Sequence, residues 1–264
     1  MKQPDDVVSD VSLGAHEYLQ NRLTPEEAAH FAEQGWLLIE DALPSEQCWL
    51  LEQLVRAMHD AKLAAGRLAH ETIVQAAFSP ANSLQDHKAT IHLLKNERVL
   101  PKVVDILGAN IKCYHSHWNY TPGRDVAEPD YSELPTLGFH QDSHRVNVEM
   151  GHEQPGGPRP RLSLKCAYFL TDCSSSGRAN TWIVPGSHLL DTLPSVPGGR
   201  GQPPGAVPVL CPANSCLIFV SWPPRCKAPG CTAESYITTG RTACLNCLLP
   251  LSRDGLAYHA SSAL

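Results

Sequence analysis

The first hundred residues carry apolar side chains at helical spacing. A helix start is indicated by Thr24, Pro25 and the acidic pair Glu26 and Glu27. A threonine side chain can accept hydrogen bonds from the first helical amides, proline fits the first turn, and acidic side chains are stabilised near the positive N-terminal end of the helix dipole. They predict a helix over residues 25–34 that ends at Gly35. The apolar run at 36–40 that follows predicts a short strand.

Two further helices are predicted before residue 110. The first starts after Pro44 and runs towards Arg67. Its core-facing positions are predicted to be Leu50, Leu51, Leu54, Val55 and Met58. The second spans residues 96–107 and ends at Gly108. Its core-facing positions are predicted to be Leu100, Val103, Val104 and Leu107.

The pattern changes at Ile111 to short apolar segments separated by Pro and Gly. The predicted strands are 111–120, 162–170, 181–184, 206–210, 215–220 and 242–249. Short strands at this spacing are typical of an antiparallel sandwich or roll and not of alternating β–α–β units. We therefore expect one domain over 1–264, in which a mainly helical part (1–110) packs outside a β-roll (111–250) that is followed by a polar tail (251–264).

The amino-acid composition indicates which classes of partner this protein is expected to bind. The 264 residues are 42% hydrophobic, which allows a sizeable core, and they carry a formal net charge of -6 with a pI near 6.1. Without runs of Lys or Arg, the chain is not expected to bind nucleic acid or a membrane, so a small molecule is the expected partner. No apolar stretch approaches the ~20 residues of a membrane span, and the acidic start is unlike a signal peptide. We expect a cytoplasmic protein.

The segment GFHQD at 138–142 places an imidazole and a carboxylate two residues apart. Residues at this spacing face the same side of a strand, so His140 and Asp142 can converge on one ion while Gln141 points away. Two histidines and one carboxylate form the facial site of non-haem Fe(II) oxygenases. His140 and Asp142 are therefore candidates for two of its three ligands.

Two further segments place this pair in a known context. The stretch PRLSLKCAYFLTD at 160–172, followed by TWIVPGSH at 181–188, resembles the phytanoyl-CoA dioxygenase family in content and in order. The resemblance implies a double-stranded β-helix, which is a cupin-like jelly-roll with flanking helices. It implies His140 and Asp142 as ligands of Fe(II), with 2-oxoglutarate as cosubstrate. The implied activity is that of an oxidoreductase, a dioxygenase that uses molecular oxygen to hydroxylate a small organic substrate.

Two basic residues are candidates for binding the carboxylates of 2-oxoglutarate. Lys165 lies on the predicted strand after the H-x-D pair, where some relatives carry a basic residue, and a lysine inside the roll requires an anionic partner. The other interpretation is a surface lysine on the opposite face of that strand. In the family an arginine pairs with 2-oxoglutarate. Arg241, which precedes the last predicted strand, is the candidate for that role here, because a guanidinium can bind a carboxylate through two hydrogen bonds.

The resemblance fails after residue 220. The family places its third ligand, a histidine, shortly after the strand predicted there, but this sequence has no histidine between His188 and His259. Cys226, Cys231 or His259 would have to replace it. One alternative is a catalytically inactive β-roll that binds a ligand or partner. Another is that the tail derives from a frameshift or splice difference.

The late cysteines suggest a third possibility. Cys226, Cys231, Cys244 and Cys247 have the spacing of a four-thiolate zinc site, which would make the chain a zinc-stabilised interaction module. Against this, Cys244 and Cys247 fall in an apolar segment that resembles a buried strand. Small apolar cysteines without a metal role fit such a segment better.

The histidine of the PGSH segment is interpreted as structural. Pro185 and Gly186 shape a tight turn, and the Ser187 and His188 side chains can hydrogen-bond nearby backbone. His188 is therefore not a predicted metal ligand.

Overall fold

The computed structural model describes residues 20–66, 91–113, 117–120, 164–176, 178, 180–190, 202–220 and 241–250. The helices are α1 (Pro25–Gln34), α2 (Ser45–Ala64), α3 (Ile91–Leu94) and α4 (Leu100–Leu107). The strands are β1 (Trp36–Ile39), β2 (Ile111–Cys113), β3 (His117–Tyr120), β4 (Leu164–Phe169), β5 (Trp182–Ile183), β6 (Val207–Pro208), β7 (Cys216–Val220) and β8 (Arg241–Pro250). A short 3₁₀ helix, Ser187–Leu189, follows β5.

The helix α1 begins and ends where the sequence predicts, because both of its ends are capped. The Thr24 hydroxyl accepts a hydrogen bond from the Glu27 amide at 3.2 Å, and the Glu27 carboxylate accepts one from the Thr24 amide at 3.0 Å. This reciprocal capping box satisfies amides that have no partner within the helix. Gly35 ends the helix in the left-handed conformation, with φ at 81°, and its amide donates to the Phe31 carbonyl at 2.9 Å.

The helix α2 buries a stripe that differs in part from the predicted one. Its buried residues are Cys48, Leu51, Val55 and His59. The prediction is confirmed for Leu51 and Val55, and Leu54 and Met58 pack partly buried against the same core. The prediction is wrong for Leu50, which is 53% exposed. Adjacent helical residues are about 100° apart, so Leu50 turns away from the core when Leu51 faces it.

The helix α4 begins at Leu100, later than predicted, because Asn96 caps the turn ahead of it. The Asn96 side-chain oxygen accepts hydrogen bonds from the amides of Arg98 and Val99, both at 3.0 Å. An asparagine oxygen can satisfy amides at a helix start in this way. Val103, predicted to face the core, is completely buried.

All strand pairs of the described residues are antiparallel. Six strands form a large sheet in the order β1-β7-β4-β8-β2, and β3 also pairs with β8. The strands β5 and β6 form a small second sheet. Each predicted strand segment overlaps an observed strand. The predicted antiparallel architecture with flanking helices is confirmed.

The large sheet separates two cores. The helical core takes from β1, β4 and β7 the residues Leu37, Ile39, Leu164, Cys166, Tyr168, Cys216, Ile218 and Val220. The second core takes the alternate residues Trp36, Leu38, Ala167, Phe169, Leu217 and Phe219 of the same strands, and it also contains Ile183 of β5. We call the face that carries these alternate residues the interior face. Side chains of a strand alternate between two faces, so β7 is buried on both.

Charged residues join α1 to α4 at the edge of the helical layer. Lys102 is 8% exposed, and its Nζ lies 2.5 Å from Glu27 Oε2 and 3.2 Å from the Arg22 carbonyl oxygen. Arg22 pairs with Asp105 at 2.8 Å, and the Leu23 amide donates to the same carboxylate at 2.9 Å. Burial alone would raise the pKa of Asp105, but the hydrogen bonds from Arg22 and Leu23 outweigh it, so this pKa lies below its ordinary value.

The longest described helix, α2, has 20 residues and carries charged side chains along its length. Over the described ranges, no helix has the length and apolarity needed to cross a membrane.

Candidate functional site

Lys165 lies on the interior face of the large sheet. Its chain neighbours Leu164 and Cys166 pack into the helical core, so Lys165 must point to the other side of β4. Its cross-strand partner is Phe219 of β7, which belongs to the second core. Lys165 thus shares a face with the second core, and its role in binding a cosubstrate stays a prediction. The lysine is half-buried there.

Trp36, Phe219 and Lys165 form one row across the interior face. Phe219 pairs with Trp36 of β1 on one side and with Lys165 of β4 on the other. We call these three residues the interior row. The Trp36 ring meets the His30 ring edge-on, with centroids 4.9 Å apart at 86°.

The indole nitrogen of Trp36 is buried but has no hydrogen-bond partner among the described residues. A buried donor without an acceptor is uncommon in folded proteins. Sequence reasoning treated residues 36–40 only as a strand and missed this residue. The available signal was the alternation of Trp36 and Leu38 with Leu37 and Ile39 directly after the Gly35 turn.

The interior face is filled most tightly at the end of β4 that is remote from Lys165. Phe169 and Leu217 are completely buried there, whereas Phe219 is 7% exposed and both Trp36 and Lys165 are half-buried. The interior row therefore lies at the less closely packed end of this face.

Two cysteines close the tightly packed end. The Cys173 amide donates to the Cys211 carbonyl at 2.9 Å, and the Cys211 amide donates back at 3.2 Å. The buried Asn180 side chain donates to the Cys173 carbonyl at 2.8 Å. Burial raises the pKa of the Cys173 thiol to about 11 and that of the Cys211 thiol to about 12. Both thiols are thus neutral near pH 7, and the Cys173 thiol donates to the Arg178 carbonyl at 3.3 Å.

The PGSH turn docks on the end of α1. The Gly186 amide donates to the Gln34 carbonyl at 3.0 Å, and His188 Nε2 lies 3.0 Å from the Ala32 carbonyl oxygen. A carbonyl can only accept, so Nε2 carries the proton of that hydrogen bond. The sequence predicted a hydrogen bond to local backbone, but the Ala32 carbonyl is 156 residues away along the chain. His188 holds the turn against the start of β1.

Two cavities border these elements. One of about 10 Å³ lies at the junction of β1, β5 and the PGSH turn, with Trp36, Phe219 and His188 in its wall. It has roughly the size of one water molecule. A larger cavity of about 870 Å³ is lined by Leu43, Leu51 and other residues around the start of α2. It lies on the helical side of the sheet and not on the interior face.

The predicted iron ligands His140 and Asp142 lie outside the described residues, as do Cys226, Cys231 and His259. Over the described ranges, no three His, Cys, Asp or Glu side chains converge in a way that could hold a metal ion. The metal assignment therefore stays a prediction from the sequence.

Arg241 and Lys165 lie at different levels along the strands of the large sheet. Arg241 begins β8 and pairs with Tyr120, whereas Lys165 pairs with Asn246 of the same strand. Positions 241 and 246 are roughly 17 Å apart along an extended strand. The register does not bring the backbones of the two predicted cosubstrate residues together. The role of each stays a prediction.

Cys244 and Cys247 lie within β8 and not in a zinc-binding loop. Cys244 pairs with His117 of β3 and with Ala167 of β4, so at this position β8 is hydrogen-bonded to a neighbouring strand on each side. The register between β4 and β8 shifts at Cys247, so the C-x-x-C segment belongs to an irregular part of the strand.

A sequence model of the phytanoyl-CoA dioxygenase family matches residues 31–222. The chain belongs to this family. The range that matches phytanoyl-CoA dioxygenases includes His140, Asp142 and the whole interior row. It ends just after β7, so Arg241 and β8 fall outside it.

Solved structures of similar fold include three proteins. EctD from S. alaskensis in its apoform has 16% identity and a TM-score of 0.55, with 87% of this chain and 78% of that chain covered. HygX from Streptomyces hygroscopicus, with nickel and 2-oxoglutarate bound, has 13% identity and a TM-score of 0.57, with 89% and 94% covered. The epimerase SnoN, in complex with Fe3+, alpha ketoglutarate and nogalamycin RO, has 16% identity and a TM-score of 0.55, with 86% and 83% covered. No curated protein sequence matches the chain.

Proposed function

We propose that the protein is an Fe(II)- and 2-oxoglutarate-dependent oxygenase that hydroxylates a small organic substrate. The observation that carries the proposal is Lys165, which is held half-buried on the interior face of a phytanoyl-CoA dioxygenase fold. Lys165 places a cationic donor on that face, and a carboxylate of 2-oxoglutarate is an acceptor that suits it.

The fold proposed for this function is a double-stranded β-helix. The large and small sheets would be its two layers, with the interior row at the mouth between them. Similar solved structures support this, since EctD was crystallised with 2-oxoglutarate and 5-hydroxyectoine and HygX with iron.

The cofactor fits the residues of this chain by donor chemistry. His140 would supply a nitrogen ligand and Asp142 an oxygen ligand, both of which suit Fe(II). The Lys165 ammonium is a donor that suits a carboxylate. When bound, Fe(II) and 2-oxoglutarate supply the oxygen chemistry, while the apolar interior face excludes water.

A substitution at Lys165 tests the cosubstrate site. Lys165→Met keeps the length of the side chain but removes the charge. Loss of a hydrogen bond to a charged group costs about 1.5–3 kcal/mol, so we expect 2-oxoglutarate to bind about 10- to 100-fold more weakly. Isothermal titration under anaerobic conditions with Fe(II) measures the dissociation constant. The matched control is Lys95→Met at an exposed lysine, which should bind as the wild type does.

If the wild type does not bind 2-oxoglutarate, the proposed function is wrong. If Lys165→Met binds as tightly as Lys95→Met, the cosubstrate lies elsewhere in the roll.

The second candidate function is a non-catalytic β-roll that binds 2-oxoglutarate or another ligand without turnover. It is favoured by the sequence after β7, which has no histidine before His259 to serve as a third ligand. Oxygen-dependent release of carbon dioxide from 2-oxoglutarate discriminates the two. Carbon dioxide release faster than with Fe(II) alone, without protein, supports the oxygenase. Tight binding of 2-oxoglutarate without carbon dioxide release supports the non-catalytic roll.

A further inference from the structure

Cys173 and Cys211 face each other at the tightly packed end of the interior face. They form an isolated antiparallel bridge in which each amide donates to the carbonyl of the other residue. Side chains of directly opposed residues project from the same face of the pair and interact. Both side chains belong to the second core and are buried. Burial raises the pKa of the Cys211 thiol most, and the nearby Cys173 thiol raises it further. The two thiols are therefore neighbours.

The backbone spacing of this pair suits a disulfide bond. Hydrogen-bonded partners of an antiparallel pair have Cα atoms about 5.5 Å apart, and disulfide bonds join Cα atoms about 4.4–6.8 Å apart. Opposed Cβ atoms lie about 4.5–5.5 Å apart, whereas a relaxed disulfide needs about 3.5–4.5 Å. The two segments would have to approach by roughly 1 Å. A bond formed under such strain is more easily reduced than a relaxed one, so it would be reversible.

Direct opposition separates this pair from other cysteines of the chain. Cys113, Cys166 and Cys216 lie in described strands, and each is opposed there by residues other than cysteine. Within the described strands and bridges, Cys173 and Cys211 are the one pair of cysteines in direct register. Both are reduced in the structure.

We propose that Cys173 and Cys211 are a reversible redox pair that forms an intramolecular disulfide on reaction with a low-molecular-weight disulfide. The thiolate of one cysteine attacks the reagent disulfide, which gives a mixed disulfide and releases one reagent thiolate. The thiolate of the other cysteine then attacks the protein sulfur of the mixed disulfide, and the second reagent thiolate leaves. Two protein thiols are oxidised, one reagent disulfide is reduced, and the two thiol protons pass to the released reagent thiolates.

The bond would join the segment after β4 to the segment before β7. The chain between the two cysteines carries β5, the PGSH turn and β6, so these elements would lie within one covalent loop. To react, the Cys173 thiol must leave its hydrogen bond to the Arg178 carbonyl. The inference does not rest on the proposed function, because neither metal nor cosubstrate takes part in the exchange.

The test is exchange of the full chain with glutathione disulfide. Because both thiols are buried and neutral near pH 7, the incubation is prolonged and is carried out at about pH 9, where more thiolate is present. Circular dichroism checks that the chain stays folded. The remaining thiols are then alkylated, and tandem mass spectrometry of the digest locates the linked cysteines. We expect a link between Cys173 and Cys211 that dithiothreitol removes.

Three variants assign the link. Cys173→Ala and Cys211→Ala should each abolish it. The matched control is Cys166→Ala, because Cys166 is also buried but packs in the helical core on the other side of the sheet. This control should form the link as the wild type does.

Two results would overturn the proposal. One is a folded wild type without the Cys173–Cys211 link after incubation with excess glutathione disulfide. The other is a link that forms only in urea that unfolds the chain, because the native fold would then not hold the two thiols together. The wild-type digest decides the proposal even if an alanine variant fails to fold. Either result leaves the proposed function intact.

Discussion

Gly35 shows how a single residue fixes the contact between two distant segments. Its φ of 81° lies in the left-handed region, and a Cβ at this position would lie 2.5 Å from His188 Nδ1. The imidazole occupies the space that a side chain would need, and its Nε2 bonds the Ala32 carbonyl. A residue other than glycine would therefore be strained and would also push the PGSH turn away from α1.

The variant Gly35→Ala should lower the free energy of unfolding by more than its backbone strain alone. The matched control is Gly66→Ala, because Gly66 has a similar φ of 67° but no atom within 4 Å of an added Cβ. We expect a loss of about 1 kcal/mol for the control and an additional ~1–3 kcal/mol for Gly35→Ala from overpacking. Urea unfolding followed by circular dichroism measures both. Equal losses would contradict the close contact with His188.

At the scale of elements, the attachment of α4 to the start of α1 depends on charged groups. The Asp105 carboxylate on α4 binds Arg22 and the Leu23 amide, and Lys102 on α4 binds Glu27 on α1. Lys102 is nearly buried, so its ion pair loses little to solvent screening, whereas Arg22 is 56% exposed. The Asp105 carboxyl has a lowered pKa, so its share of this contact depends on pH.

The depressed pKa of Asp105 predicts a loss of stability in acid. A carboxyl whose folded-state pKa lies below its unfolded value, about 3.9, favours the folded state while it is ionised. This contribution is complete well above the unfolded pKa and is lost as the pH falls through the folded pKa. We expect Asp105→Asn to be less stable than wild type at pH 7 and to lose less stability between about pH 5 and pH 3.

Urea unfolding at pH 7, 5, 4 and 3 measures this difference. Glu97→Gln changes an exposed carboxyl and is the matched control, so its pH dependence should follow that of the wild type. Parallel curves for Asp105→Asn and wild type would show that the Asp105 pairing does not stabilise the fold.

At the scale of the whole molecule, local patterns predicted the elements but not the relations between them. Helix α1 could be placed to the residue because its cap and its stop are encoded in neighbouring residues. The sequence could not predict on which face of β4 Lys165 lies. The strand is apolar on both sides, so the alternation of side chains does not identify the side that packs against the helices. The interior row could not be predicted for the same reason, since it depends on the pairing of three strands distant in sequence.

The molecule combines a proposed anion site at Lys165 with an incomplete set of metal ligands predicted from its sequence. The family match agrees with a 2-oxoglutarate-dependent oxygenase, whereas the chain after β7 has no histidine before His259. Binding of cosubstrate and turnover are therefore separate properties of this protein, and each requires its own measurement. The central claim is that Fe(II) and 2-oxoglutarate bind together in the roll.

Anaerobic addition of Fe(II) and 2-oxoglutarate to the full chain tests this claim most directly. Chelation of Fe(II) by 2-oxoglutarate in the protein gives a visible metal-to-ligand charge-transfer band. We expect the band in the wild type, its loss in His140→Ala, and a higher 2-oxoglutarate requirement in Lys165→Met. A wild type that is folded by circular dichroism but shows no band at saturating Fe(II) and 2-oxoglutarate would contradict the account.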